Sequence, residues 1–175
     1  MATTIRAYVG IGANLDEPRE QVVRAFKALE DVPRTQLRAR SSLYHSRPMG
    51  SPMQPDYVNA AALIETALLP HQLLDELQRI EGAQGRIRGA LRWQARTLDL
   101  DLLLYGTWRV RTPRLTVPHP GLHERDFVLA PLAELTPDLV LPRYGAVKDV
   151  LEHLGRASKY VVNPALATDH APRSG

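Results

Sequence analysis

"TLDLDLLLYG", residues 97–106, sets two aspartates into a run of leucines. In a strand, residues two apart share a face, so Leu98, Leu100 and Leu102 point one way while Asp99 and Asp101 point the other, roughly 6.6 Å apart along the chain. The leucine face is built for burial. The carboxylate face needs partners, because an unpaired buried carboxylate is normally neutralised, ion-paired or given a metal. A strand with one apolar and one chemical face predicts a sheet covered by helices on one side and open for function on the other.

The segments upstream fit that plan. "TIRAYVGIGANL" alternates Ile5, Ala7, Val9 and Ile11 against Arg6, Tyr8 and Gly10, a half-buried strand predicted to end at Gly12 in a turn. "DEPREQVVRAFKALEDV" predicts a helix near 17–30, with Asp16 as N-cap, Pro18 in the first turn and Val22, Phe26 and Leu29 on one face. "TQLRARSSLYHSRP" alternates from Leu37 to Tyr44 as a second strand. Residues 46–56, with three prolines and a glycine, form a loop, "YVNAAALIETAL" is a third strand, and "PHQLLDELQRIEGAQG" is a helix starting at Pro70. Strand, helix, strand, strand, helix, strand is the βαββαβ order of an α+β, ferredoxin-like antiparallel sheet. Beyond it, "TWRVRTPRLTVPHP" predicts a short hairpin and loop, and "HERDFVLAPLAEL" and "AVKDVLEHLG" predict two added helices. Residues 1–155 read as one domain. The segment 156–175 has no core pattern and reads as a mobile tail.

Composition narrows the classes. A chain of 175 residues buries a sizeable core without staples, and the absence of cysteine removes disulfides and thiolate zinc sites. No apolar stretch approaches the roughly 20 residues of a membrane span, and "MATTIRAYVG" lacks a signal-peptide core, so the expectation is a soluble cytoplasmic protein with no membrane partner. The net charge is only +3, yet its cations are nearly all arginines, five of which (Arg79, Arg86, Arg88, Arg92 and Arg96) crowd the approach to the aspartate strand. Arginine's planar fork holds phosphate bidentately, so the cluster points to an anionic ligand, although compositional bias alone would also enrich arginine.

Two carboxylates at strand spacing suit a hard divalent cation, Mg²⁺ in particular, with water and substrate phosphates completing the octahedron. Set beside the arginines, they describe a metal-triphosphate site. The plainer alternative is a salt-bridge lattice, which leaves Gly85, Gly89 and Trp93 unexplained. Tyr57 and Asn59, two apart on a strand, offer an aromatic face and an amide edge together, as a flat polar heterocycle would require; by pattern alone Tyr57 reads first as a core or edge aromatic. "RLTVPHPGLHERDF" adds Arg114, Thr116, His119 and Arg125 in a stiff polar loop. His119 and His123 are four apart, but prolines interrupt any helix there and no third zinc ligand is evident.

"YVGIGANL", "SSLYHSRPMGSPMQPDYVNAA", "QRIEGAQGRIR", "RWQARTLDLDLLLYG" and "LTVPHPGLHERDFVLAPLAEL" together resemble the 6-hydroxymethyl-7,8-dihydropterin pyrophosphokinase family over about residues 5–142. The resemblance implies a ferredoxin-like fold with added helices and transfer of pyrophosphate from ATP to a pterin alcohol in folate biosynthesis, with AMP leaving. It implies that Asp99 and Asp101 hold two Mg²⁺ ions and that the pterin lies between Tyr57 and Phe127, with Asn59 on its edge and the backbone of Ser46, Pro48 and Met49 beside it. Gln78, Glu81, Arg88, Trp93, Arg96, Leu102, Arg114, Thr116, His119 and Arg125 match positions around the nucleotide, Trp93 also adjoins the pterin, and Arg86 and Arg96 match mobile arginines that assist transfer. The loops at 46–56 and 85–96 match lids. Where the family usually reads R-W-G-P-R, this chain has Arg92-Trp93-Gln94-Ala95-Arg96, which implies slower or less ordered closure of the second lid.

Two other readings start from the same residues. A two-metal nuclease or nucleotidyl transferase keeps the metal site but gives Tyr57, Asn59 and Phe127 no joint purpose. A non-catalytic RNA-binding module would use the open sheet face and the basic pI, but the chain lacks the aromatic RNA-contact motif of such sheets. The expectation is an enzyme acting on small molecules, working as a monomer and without a nucleic-acid partner.

Overall fold

The structure is a computed structural model that describes residues 2–47, 53, 55–85 and 98–155. Its main sheet is built from β1 (Ile5–Ala13), β2 (Thr35–Arg40), β3 (Tyr44–Ser46), β4 (Tyr57–Thr66) and β5 (Asp99–Tyr105), in the order β2-β4-β1-β5 with β3 also on β4. The β1–β4, β1–β5, β2–β4 and β3–β4 pairs are all antiparallel. With α1 (Pro18–Glu30) and α2 (Pro70–Ala83) in the crossovers, this is the ferredoxin-like order predicted above.

One face carries the larger core. Val9, Ile11, Ala62, Ile64, Leu98, Leu100 and Leu102 meet Val22, Phe26 and Leu29 of α1 and Leu73, Leu77 and Ile80 of α2. Leu29, Leu73 and Leu77 are fully buried. At the start of α2, the Gln72 side chain accepts from the Leu69 amide at 2.9 Å, satisfying one of the N–H groups that a helix start leaves without an intrahelical partner.

The other face is less open than the sequence suggests. The hairpin β6 (Val110–Arg111) and β7 (Thr116–Val117) is followed by a 3₁₀ turn at Leu122–Glu124, α3 (Asp126–Leu135), the hairpin β8 (Val140–Leu141) and β9 (Gly145–Ala146), and α4 (Val147–Gly155). Leu129 and Leu132 of α3, with Leu141 and Val147, cover Tyr8, Ala61, Leu63, Leu103 and Leu104 in a second buried cluster. A register shift between Tyr8 and Val9 puts both Leu103 and Leu104 on this side, where strict alternation would have split them. The end of the face nearest Asp99 holds the cavity described below, so among the described residues the face is no flat, uncovered platform.

Three local expectations are corrected. The strand does not end at Gly12: β1 runs through Ala13, paired with Val58, because β4 extends far enough to carry it. Asp16 does not cap α1; Asp16 and Glu17 both take left-handed backbone angles (φ 51° and 59°), and Gln21 donates instead to the Asp16 carbonyl. The single strand expected over 37–44 is two, because at Ser41 the side chain takes over as acceptor from the Ala61 amide and the chain turns before rejoining β4. After that break Glu134 of α3 accepts from the Ser42 amide, the Ser42 hydroxyl and the Tyr44 hydroxyl, tying α3 to β3. Burial, with the Glu134 carboxylate beside it, pushes the Tyr44 phenol well above its ordinary pKa. Residues 156–175, read above as a tail, lie outside the described residues.

Candidate active site

The cavity, of about 240 Å³, is lined along β1 by Gly10, Ile11 and Gly12. Along β1, Tyr8, Gly10 and Gly12 share the second face; Tyr8 packs under α3, and the glycines leave the surface open. A Cβ on Gly10 would sit 3.3 Å from Leu103, and one on Gly12 would sit 3.2 Å from the Asn59 Oδ1. Across the strand pair, Gly12 is opposite Asp99 and Gly10 opposite Asp101. Each half-buried carboxylate therefore stands beside a position with no side chain, and both line the cavity.

On the β4 side, Asn59 is 5% exposed and donates through Nδ2 to Ser46 Oγ at 2.6 Å. Tyr57 pairs across to Ser46, and Asn59 to Tyr44, so β3 holds both residues from outside. Tyr57, Asn59 and Ser46 line the cavity with Phe127 and Val128, which enter from the first turn of α3. An amide in fixed orientation flanked by two aromatic residues is a recognition edge for a flat polar ring.

The remaining wall is cationic. Arg125 directly precedes α3, and its guanidinium lies so close over Gly121 that a Cβ there would fall 2.8 Å from Nε. His119 donates its backbone amide to the Leu103 carbonyl, and its Nδ1 accepts from the Gly121 amide at 3.1 Å. With Nδ1 as acceptor, the neutral ring carries its proton on Nε2. Burial lowers the His119 pKa, and Arg125 lowers it further while the Asp101 carboxylate pulls the other way; the net effect favours the neutral ring.

The other positions expected around a nucleotide divide into groups. Arg114 donates to Asp75 at 2.6 Å and to Gln78 at 3.3 Å, bringing Arg114 and Gln78 together along α2, outside the cavity. Thr116 lies on β7, half-buried and also outside it. Glu81 is 5% exposed, and its Oε2 accepts from the Leu100 amide at 3.0 Å, so its carboxylate steadies the strand between the two aspartates. Leu102 is 3% exposed with its side chain in the main core, so on β5, the outer strand, only its main chain is left to face a ligand. Pro48, Met49, Arg86, Arg88, Trp93 and Arg96, like Gln94 and Ala95, lie outside the described residues.

Sequence reasoning missed Gly10, Ile11, Gly12, Arg47, Ala60 and Val128 as lining residues. The glycines had a signal: glycine at alternate positions of one strand, in register with Tyr8, marks a face that something approaches closely. Arg47 had none beyond its place in the loop.

Residues 8–137 match the family model described as 7,8-dihydro-6-hydroxymethylpterin-pyrophosphokinase (HPPK). The chain belongs to this family. It is 48% identical over 160 residues to the 2-amino-4-hydroxy-6-hydroxymethyldihydropteridine pyrophosphokinase of Haemophilus influenzae, covering 91% of this chain and 99% of that protein. It is 54% identical over 137 residues to the Pseudomonas aeruginosa protein of the same name, covering 78% and 84%. Among solved structures, an HPPK-DHPS in complex with substrates is similar with a TM-score of 0.69 at 11% identity, covering 88% of this chain and 44% of that one. A wild-type Plasmodium falciparum HPPK-DHPS gives 0.66 at 11%, covering 88% and 42%. The present chain spans under half the length of those chains, and the likeness at such low identity shows the shared fold. Membership makes the chain a diphosphokinase, an enzyme of pyrophosphoryl transfer in folate biosynthesis. No helix among the described residues is long and apolar enough to cross a membrane.

Proposed function

We propose that the cavity binds 6-hydroxymethyl-7,8-dihydropterin in the slot bounded by Tyr57, Asn59 and Phe127 and receives the β- and γ-phosphates of ATP beside Asp99 and Asp101. The observation that carries this reading is that one cavity joins an aromatic-and-amide slot to a carboxylate pair and a cationic wall of His119 and Arg125. Among the described residues there is no cluster of three or more His, Cys, Asp or Glu, so the donor set does not amount to an all-protein metal cage. Two carboxylates do fit Mg²⁺, which usually takes one or two carboxylates and leaves its other positions to water and substrate phosphates. Asp99 and Asp101 would hold the two ions, which when bound neutralise phosphate charge and polarise the group being transferred.

The chain's own residues then do the positioning. The slot aims the pterin hydroxymethyl oxygen at the β-phosphorus; a bond forms there, the bond from that phosphorus to the α–β bridging oxygen breaks, AMP leaves, and the hydroxyl proton passes to solvent. No strong general base is required, because phosphoryl transfer depends mainly on in-line placement and charge stabilisation. Arg125 and the Nε2–H of His119 supply donors to phosphate oxygens. Arg86 and Arg96 would add charge from the segment between α2 and β5, with Arg88 and Trp93 on the nucleotide, Pro48 and Met49 on the pterin, and Gln78, Arg114, Thr116 and the Leu102 main chain along the nucleotide's outer side. The protein is expected to act as a monomer in the cytoplasm.

Incubation with Mg²⁺, ATP and the pterin alcohol should yield AMP, and only when the pterin is present; ADP as product, or no turnover, would overturn the reading. A second test bears on Asn59. Gly12→Ala places a methyl where the Asn59 Oδ1 now sits 3.2 Å away, so the amide must shift by a few tenths of an ångström. The pterin KM should rise about tenfold with a much smaller change for ATP, as misplaced contacts are costly in preorganised sites. Steady-state kinetics with an unchanged pterin KM would remove Asn59 from the recognition edge.

A further inference from the structure

A second concavity, of about 420 Å³, lies between the β6–β7 hairpin and the β8–β9 turn, and His119 lines both it and the reaction cavity. Its walls carry Arg109, Arg111 and Arg143 and contain no acidic residue. None of these three arginines forms a side-chain ion pair or hydrogen bond among the described residues, whereas Arg6, Arg38, Arg79 and Arg114 each have an acidic partner. Three exposed arginines lining one groove with no acidic residue among its walls make it cationic, the chemistry that suits a bound polyanion.

Two further features point to a ligand. Arg143 has φ +71°, a left-handed conformation that glycine or asparagine adopts more cheaply, within a turn whose only glycine is Gly145. Strain of that kind persists where the surrounding structure enforces it, and it gathers at ligand clamps. Beside it, the Tyr144 ring stacks on His123 with centroids 4.0 Å apart and planes 7° from parallel, giving the groove a stiff aromatic rim. The volume lies in the range of small-molecule sites.

We propose that this groove is a second ligand site, separate from the reaction cavity, for a phosphorylated small molecule carrying at least two negative charges. Arg109, Arg111 and Arg143 bind its phosphates, and Tyr144 supports any attached ring. The shared His119 couples the two sites, so occupancy of the groove changes affinity for anions in the cavity. Thr116 and His119, which line the groove, also belong to the proposed nucleotide positions, whereas the three arginines do not, so the second site rests on the arginines.

The test is titration of the full chain with inorganic pyrophosphate in EDTA, followed by amide chemical shifts. EDTA removes divalent ions, so the carboxylates in the reaction cavity repel the probe. Saturable shifts centred on residues 109–111 and 142–144, which lie outside the proposed nucleotide positions, are expected. In Arg109→Gln/Arg111→Gln/Arg143→Gln the affinity should fall at least about tenfold, since each charge-assisted hydrogen bond to a phosphate contributes measurably. Arg143→Gly removes one guanidinium while relieving the backbone. It should therefore bind about threefold or more weakly with a melting temperature no lower than the parent's, which separates lost binding from lost folding. Absence of saturable shifts, shifts centred on Asp99, Asp101 and Arg125, or undiminished affinity in either variant would overturn the second site.

Discussion

Replacing Asp99 or Asp101 with asparagine is expected to cut turnover by about a thousandfold or more, because each substitution removes a full charge where metal and phosphate charge must be balanced. Asparagine is close in size to aspartate, and both positions are half-buried at the mouth of the cavity, opposite glycines, so the variants should fold. The check is kcat from AMP release at saturating Mg²⁺, with circular dichroism and thermal melts as controls for the fold. Activity within about tenfold of the parent in both variants would remove the carboxylates from the proposed chemistry. A collapse of the fold instead would mean that the aspartates serve the sheet.

The second large effect is on stability. Leu77 of α2 is fully buried against the main sheet, and Leu77→Ala should destabilise the protein by about 3 kcal/mol, within the 2–5 kcal/mol range of leucine truncations in close-packed cores. For a domain of this size that corresponds to a fall in melting temperature of roughly 10 °C. The position bears on the site because Glu81, one turn further along α2, accepts from the Leu100 amide between the two aspartates. Loosening α2 should therefore lower activity at temperatures where the fold still holds. Leu77→Met, which keeps the volume, should cost less than about 1.5 kcal/mol. A melting temperature for Leu77→Ala within about 2 °C of the parent would show that α2 does not need this contact.

The chemistry of the site was more legible than its walls. Asp99 and Asp101 announce themselves because charge is so costly inside an apolar strand, and Tyr57 and Asn59 do so by sharing a strand face. Glu81 is expected from the resemblance among the nucleotide positions; that it is buried and accepts from the Leu100 amide depends on α2 packing beside β5. Leu102, expected near the nucleotide, proves to have its side chain in the core, as its place in the leucine period requires. The Nδ1 acceptor role of His119 follows from the loop that brings the Gly121 amide to the ring, a geometry set by prolines and glycine acting together.

Local periodicity was sufficient for the βαββαβ frame, though not for the break between β2 and β3 or the β8–β9 hairpin, and for the direction in which β5 turns its leucines and aspartates and the apolar faces of α1 and α2. Those features depend on neighbours one to four residues away, and the 2.0 and 3.6 periods carry that information within a single segment. The pairing of Gly12 with Asp99 and Gly10 with Asp101, the register shift that turns both Leu103 and Leu104 toward α3, and the closing of half the second face by α3 and α4 all join segments far apart in the chain. Tertiary packing alone decides such features, because a register is chosen by the summed fit of two buried faces and not by the preference of either strand. Ten residues thus suffice to mark Asp99 and Asp101 as carboxylates in need of partners, while the cavity they line exists only once β1, β4 and α3 are in place around them.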